Sequence, residues 1–522
     1  MAMARTAQAA TVLYRKKFAI ALAVIQTVLI VLYAMYSRFS DDPAVIAYME
    51  KLKLPTDHLW EVGNHYAAFQ DVQLMVIIGF ALMAAFLKRY TQSGIGYNLL
   101  IAAIAIQWGI FFHEIILTRA RGVLLGVQSL ITGNFAATAV LVSFGAVLGK
   151  FSPYQLLFMT MIEIVFYTIN KYIGHMIYQA SDAGHCMYVH LFGALFGLFA
   201  SRMNLKTFHR THPQQARTYQ SDIWTIIGTL FLWICFPSFN AAFSTEMLRQ
   251  RALINTLFAL LASTLSTFIF TVFVSTDGKF GVTHAQNAVL AGGVAISATA
   301  STICHPWVSL VIGVVAGMLA VFSIEYKQKC ILDKAGFHDT RFVLSLHAVP
   351  AFFGAIMSMV VSGMATENSI GKLNLYQAYP AMTPDDSTND TLIHSWVRMG
   401  KVNFSDGRSG GDQARYQMYT LLTTMLISII GGAITGLLLS FKWCDMPTAE
   451  NAFDDGDQWA VAEEGMASFE AYIPVPHAVE MVERSVVADD TVELKKNEMT
   501  NEEEIEEVKK DGNGTTPIES DH

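Results

Sequence analysis

Charge is scarce in this chain. Of 522 residues, 15% are charged against 53% hydrophobic, and the mean hydropathy is +0.38. So little charge cannot clothe a water-soluble enzyme of this length, and the apolar surplus calls for a bilayer as solvent. Cysteine is also sparse. Cys186, Cys235, Cys304, Cys330 and Cys444 are scattered, odd in number and never spaced Cys-x-x-Cys. That excludes a disulfide framework and a zinc site of the usual spacing. A cleavage site is missing too. The first apolar run follows Tyr14-Arg15-Lys16-Lys17 and reaches Tyr36, but no small-residue site comes after it. It reads as a retained first span, with residues 1–17 as a cytoplasmic N-terminus.

The charge that exists is unevenly placed. Residues 442–522 hold about 22 acids against about 6 bases, so the rest of the chain is net positive by about 8. Apolar segments centre near 18–36, 72–87, 95–112, 123–149, 155–177, 182–200, 222–243, 250–274, 286–303, 306–327, 342–364 and 417–441. The fold class is therefore an all-α polytopic membrane protein with about twelve transmembrane helices over residues 18–441. Loop 201–220 carries Arg202, Lys206, Arg210 and Arg217 and no acid. Loop 326–341 carries Lys327, Lys329, Lys334 and Arg341 against Asp333 and Asp339. Twelve spans from an inside start put both loops inside, as positive charge requires. The long loop 366–415 then falls outside. It holds the sequons Asn389-Asp390-Thr391 and Asn403-Phe404-Ser405, which accept sugar only on that side. Residues 442–522 lose the apolar period and read as a disordered acidic cytoplasmic tail, either a solvated end or a dock for a cytoplasmic partner.

One stretch organises the spans: Asp182-Ala183-Gly184-His185-Cys186-Met187-Tyr188-Val189-His190-Leu191-Phe192-Gly193-Ala194-Leu195-Phe196-Gly197. A second answers it: Asp339, then His347-Ala348-Val349-Pro350-Ala351-Phe352-Phe353-Gly354. In each an acid precedes a histidine by eight residues, and the histidine opens His-x-x-(Gly/Pro)-Ala-x-Phe-Gly. This is an internal repeat, and span parity makes it inverted in topology. Eight residues of helix rise about 12 Å, so a helix starting at either acid carries its histidine towards mid-bilayer. Two readings stand for Asp182 and Asp339: caps of backbone N–H groups at helix starts, or electrostatic attractors of cations. His185 has no counterpart in the second copy and reads as structural or vestibular. A pair of imidazoles in an apolar conduit can line a path for a small solute that exchanges protons, whereas a bare cation crosses such a path only at high cost. A metal is the competing use of a histidine pair. Apart from Cys186 one turn before His190, neither histidine has a neighbouring ligand, so no metal, cofactor or enzymatic activity is expected.

These residues resemble the Rhesus (Rh) glycoprotein branch of the ammonium transporter family, over nearly all of residues 15–441. Further matches are Phe69-Gln70-Asp71-Val72, Ser143-Phe144-Gly145-Ala146-Val147-Leu148-Gly149-Lys150, Ser152-Pro153, Gly228-Thr229-Leu230-Phe231-Leu232-Trp233, Pro237-Ser238-Phe239-Asn240, Gln286-Asn287-Ala288 and Leu290-Ala291-Gly292-Gly293-Val294-Ala295. The resemblance implies a homotrimer with one pore per subunit and a facilitator for ammonia and ammonium, with carbon dioxide open as a second solute. It implies that His190 and His347 are the twin pore histidines and that Phe135 and Phe239 form the gate. Four departures stand out. His185 replaces a glycine, Leu344-Ser345-Leu346 replaces His-Asn-Leu, Ala348 replaces a glycine, and Lys171 stands where an outer-vestibule acid is common. Lys171 either faces that vestibule or snorkels into headgroups. The alternative function is a non-transporting scaffold docking partners through the acidic tail.

The topology has a direct check. In a glycosylating host, Asn389→Gln with Asn403→Gln should abolish the mobility shift on glycosidase treatment. Protease added to intact cells should leave the tail uncut, and cleavage of the tail from outside would reverse the orientation.

Overall fold

In lipid, a long apolar run can satisfy its own backbone only by coiling into a helix. The computed structural model describes residues 2–43, 45–47, 62–117, 122–326 and 333–461. Among these it contains eleven helices long and apolar enough to cross a membrane. They are built on α1 (Ala2–Tyr36), α2 (Val62–Leu74, prolonged through a π-helical turn at Met75–Gly79 to Ala84), α3 (Thr91–Leu117) and α4 (Val127–Val147). Next come α5 (Pro153–Lys171, prolonged by a π-helical turn at Tyr172–Ile177), α6 (Phe192–Asn204), α7 (Tyr219–Ala241) and α8 (Glu246–Val274). The last are α9 (Pro306–Phe322), α10 (Val349–Met364) and α11 (Gly410–Leu439). Ser152-Pro153 is the start signal of α5. The Ser152 hydroxyl accepts Gln155 N–H at 3.1 Å, and the Gln155 side-chain Oε1 accepts Ser152 N–H at 2.9 Å, with proline at the first helical position. Among the described residues the strand content is one parallel pair, β1 (Ser37–Phe39) on β2 (Val123–Leu125), which ties the end of α1 to the start of α4.

The segment expected as a span over 286–303 is a broken one. It folds as Val282–Asn287, a 3₁₀ turn at Ala288–Leu290 and Ala291–Ile296, followed by turns. Irregular backbone survives at membrane depth only when protein supplies the missing partners. Here Asn255 donates to the carbonyls of Ala300 (2.8 Å) and Ile303 (3.0 Å), Asn240 to Gly293 (3.0 Å), and Ser263 to Val289 (2.8 Å). Asn240 also accepts from Ser297 Oγ at 2.9 Å, and the Ser297 carbonyl accepts Gly184 N–H at 2.9 Å. The break is thereby tied to the loop that carries Asp182.

The inverted repeat is visible in the packing. Gly197 and Gly354 close the two copies of the motif. A Cβ on Gly197 would lie 2.6 Å from the Ser143 backbone in α4, and one on Gly354 would lie 2.3 Å from the Ala295 carbonyl oxygen. At equivalent positions, each copy needs a residue without a side chain so that two backbones can touch.

The two ends of α11 carry different structures. At its start, residues 366–408 fold over their own apolar cluster, including Ile370, Leu375, Tyr376, Tyr379 and Ile393. Asp390 caps the helix Thr391–Arg398 there, and Asn389 and Asn403 are both exposed. At its other end, the expectation of a disordered tail from residue 442 needs correction. Residues 442–459 are folded onto the helix ends. Phe453 is fully buried, Asp454 pairs with Arg89 at 3.0 Å, and Lys17 pairs with Asp445 at 2.6 Å. The Asp455 carboxylate accepts the N–H groups of Gln92 (2.9 Å) and Ser93 (2.7 Å) at the start of α3. Acids that read as a solvated run are helix caps and ion-pair partners here. Residues 462–522, the rest of the expected tail, lie outside the described residues.

Candidate functional site

Each copy of the repeat builds its histidine in the same way. Residues 182–185 form a turn, so the expected eight-residue helix from acid to histidine is replaced by a turn and a short π-helical segment. The Asp182 carboxylate accepts N–H groups from Cys186 (2.7 Å), Met187 (2.8 Å) and Tyr188 (3.1 Å). Asp339 accepts from Val343 (3.0 Å) and Leu344 (2.8 Å). Both acids therefore cap, and burial raises both carboxyls above the usual range while the backbone donors pull the other way. Three residues after each acid the backbone turns left-handed, with φ +55° at His185 and +59° at Phe342. That conformation favours glycine. Glycine would hold it without strain at either position, His185 in the first copy and Phe342 in the second. After each left-handed residue comes a π-helical turn, Cys186–Leu191 or Leu344–Ala348, holding the histidine.

The two histidines meet. Nδ1 of His347 lies 3.2 Å from Nδ1 of His190, with ring planes 11° apart. His190 is fully buried and His347 nearly so. With both Nδ1 atoms facing, one must donate and the other accept. His190 Nε2 meets no protein partner among the described residues. Above the pair, the rings of Phe135 and Phe239 are stacked at 4.0 Å. Phe239 approaches His190 at 5.8 Å, and Phe80 lies parallel to His347 at 6.4 Å.

On the Phe135 side opens a vestibule of ≈ 560 Å³. His185 and Phe243 form its floor against Phe135, at 4.6 and 4.9 Å between ring centroids. Asp182 and Lys171 line it. The Lys171 side chain is 7% exposed, and its ammonium lies 5.3 Å from the Phe243 ring centroid. Beyond His347 a narrow cavity (≈ 30 Å³) runs to Arg341. Arg341, counted as a loop charge above, is in fact buried.

Several wall residues escaped the sequence reading. Phe243, His113, Glu114 and His175 line the vestibule. Two carried a spacing signal: Phe243 follows Phe239 by four residues, and His175 follows Lys171 by four. The separately read motifs around Asp71 and Ser238 meet in a hydrogen bond of 2.5 Å. Among the described residues no group of three or more potential ligands is placed to hold a metal ion.

A vestibule, a stacked aromatic pair and two facing histidines, built from an inverted helical repeat, define a membrane channel or transporter. The chain belongs to the ammonium transporter family, whose pattern it matches over residues 28–448, and to its Rhesus branch. It is 35% identical to the ammonium transporter Rh type B of Sus scrofa over 78% of this chain and 87% of that one. It is 33% identical to the human ammonium transporter Rh type C over 86% and 90%. The fold matches Nitrosomonas europaea Rh50, of the Rhesus protein family of channels, with TM-score 0.62 at 22% identity over 83% and 98% of the two chains. It also matches Saccharomyces cerevisiae Mep2, with TM-score 0.56 at 17% identity over 80% and 93%.

The caps have a testable weight. Asp182→Ala leaves three buried N–H groups without an acceptor and should cost at least about 3 kcal/mol, read as a lower melting midpoint in detergent. Asp182→Asn keeps an acceptor oxygen and should lose less than half as much. An equal loss in both variants would assign the effect to the charge instead of the cap.

Proposed function

We propose that this chain is a membrane facilitator for ammonia and ammonium, in which the protonated solute gives its proton to the water outside the vestibule and the neutral molecule passes the histidine pair. The observation that carries this is the 3.2 Å meeting of His190 and His347 behind the stacked Phe135 and Phe239 rings. Placing one proton between the two Nδ1 atoms satisfies both. A second proton there would face two N–H donors and leave one buried imidazole as a cation, which is strongly unfavourable. The pair therefore offers a donor and an acceptor to a small neutral solute. His190 Nε2, with no protein partner, is the atom available to it. Phe135 and Phe239 act as the gate, and Asp182 and Asp339 fix the two helix starts from which the histidines project. The presence of both histidines, face to face, supports conduction over the scaffold reading.

Several finer points belong to this proposal. The membrane unit is residues 18–441, and the chain assembles as a homotrimer with one pore in each subunit. The 366–408 cap and the sugars on Asn389 and Asn403 face outward, and both termini face the cytoplasm. The exposure of both sequon asparagines supports this orientation. The acidic tail beyond 461 is open to a cytoplasmic partner. Carbon dioxide enters only as a second solute for the same path.

His190→Ala and His347→Ala should each alter ammonia flux or selectivity several-fold in stopped-flow proteoliposome measurements, with trimer formation unchanged. Unchanged flux and selectivity in both variants would remove the pore assignment.

Lys171 opposes cation recruitment, because its ammonium already occupies an aromatic face of the vestibule. At about 8 Å and an effective dielectric near 40, each unit charge is worth about 1 kcal/mol, so reversing the sign changes cation occupancy by roughly tenfold or more. Lys171→Glu should therefore raise the apparent affinity for methylammonium, more so at low ionic strength. An identical concentration dependence of uptake at low salt would show that this lysine does not act on the permeant cation.

A further inference from the structure

A buried cation closes the far end of the path. Arg341 is 7% exposed and lines the narrow cavity whose opposite end is His347. The rest of that lining is largely apolar, with Phe80, Leu141 and Phe144 among it. The guanidinium packs over the Phe86 ring at 4.9 Å. Its Nε and Nη2 meet no hydrogen-bond acceptor among the described residues. The acids around it are engaged elsewhere. Both Asp339 oxygens take backbone N–H groups, and Asp222 faces Arg217 at 3.7 Å. A guanidinium keeps its charge under all ordinary conditions. Here that charge is set in low-dielectric surroundings, where it is weakly screened.

From this placement we propose that Arg341 is a charge-selectivity residue: its guanidinium bars the protonated solute from the passage beyond the histidine pair and leaves the neutral solute free to cross. The inference rests on the conduit reading and assigns its charge discrimination to a named side chain. Arg341 sits in the turn before the π-helical segment that holds His347, and both side chains line the same narrow cavity. At about 10 Å and an effective dielectric near 25, a fixed positive charge lowers the occupancy of a cation near the histidines by roughly tenfold. The effect on a neutral, weakly dipolar molecule is far smaller, because a charge acts on a dipole more weakly and over a shorter range than on another charge. Reprotonation is thereby confined to the side beyond Arg341. The same charge reaches the cavity from the backbone of the second repeat, two residues after the capping Asp339. The vestibule has its lysine on α5 instead, so the two ends of the path are guarded by cations from unrelated elements.

The test compares native protein, Arg341→Met and Arg341→Lys in proteoliposomes. Neutral flux is read from stopped-flow alkalinisation, and charge movement from solid-supported-membrane currents after an ammonium step. The ratio of charge moved to ammonia delivered should rise about tenfold in Arg341→Met and stay native in Arg341→Lys. If Arg341→Met fails to assemble, Arg341→Gln replaces it, with the same expected rise. A native ratio in a conducting neutral variant would overturn the role of Arg341. So would equal ratios in the methionine and lysine variants, which would reveal a packing role. Absence of ammonia flux in the native protein would instead overturn the conduit reading, and this inference with it.

Discussion

Two carboxylates hold the centre of this molecule. Asp182 and Asp339 each gather the backbone N–H groups at the start of a buried π-helical turn. Without them those donors would be unpaired in a region with almost no water, at a cost of about 1–3 kcal/mol apiece. The histidines follow each acid at the same offset. Fixing the two starts therefore fixes where the imidazoles point, and with them the 3.2 Å contact between the two rings. The acids are structural in their contacts, because both carboxylates hold the backbone from which a histidine follows.

Most of the architecture was legible before any coordinates. Continuous apolar runs announced the spans, because lipid leaves the backbone no alternative to a helix. The repeat was legible because its two copies share a rare residue at a fixed offset. What stayed hidden involved partners distant in sequence. The stretch 286–303 looked like one more helix, since small apolar residues score alike in a helix and in a buried irregular chain. Only Asn240, Asn255 and Ser263, on other helices, reveal that its carbonyls are bonded from outside. Arg341 read as one more basic loop residue, because hydropathy cannot tell a cation at the bilayer face from one folded back beneath it. Phe453 and Asp455 sat in an acidic, polar stretch whose order comes from docking on α3 and the 149 turn, and not from local periodicity.

Of the five described non-glycine residues with left-handed backbone, two stand at matching positions of the repeat. His185 and Phe342 hold left-handed backbone with a full side chain, a conformation that costs about 1–2 kcal/mol for such residues. The flanking caps on each side over-determine the turn and sustain it. In return the His185 ring forms the vestibule floor against Phe135, a contact that glycine could not make.

The stacked rings of Phe135 and Phe239 have a consequence for the membrane as an insulator. Protons travel along files of hydrogen-bonded water faster than any other ion moves, because they hop instead of diffusing. Two phenyl faces 4.0 Å apart leave no space for a water between them and offer no hydrogen-bonding atom. The relay is cut at that point, whatever water fills the vestibule above or the cavity below. While the two rings stay stacked, a path for a small solute can coexist with a membrane that keeps its voltage and its pH difference.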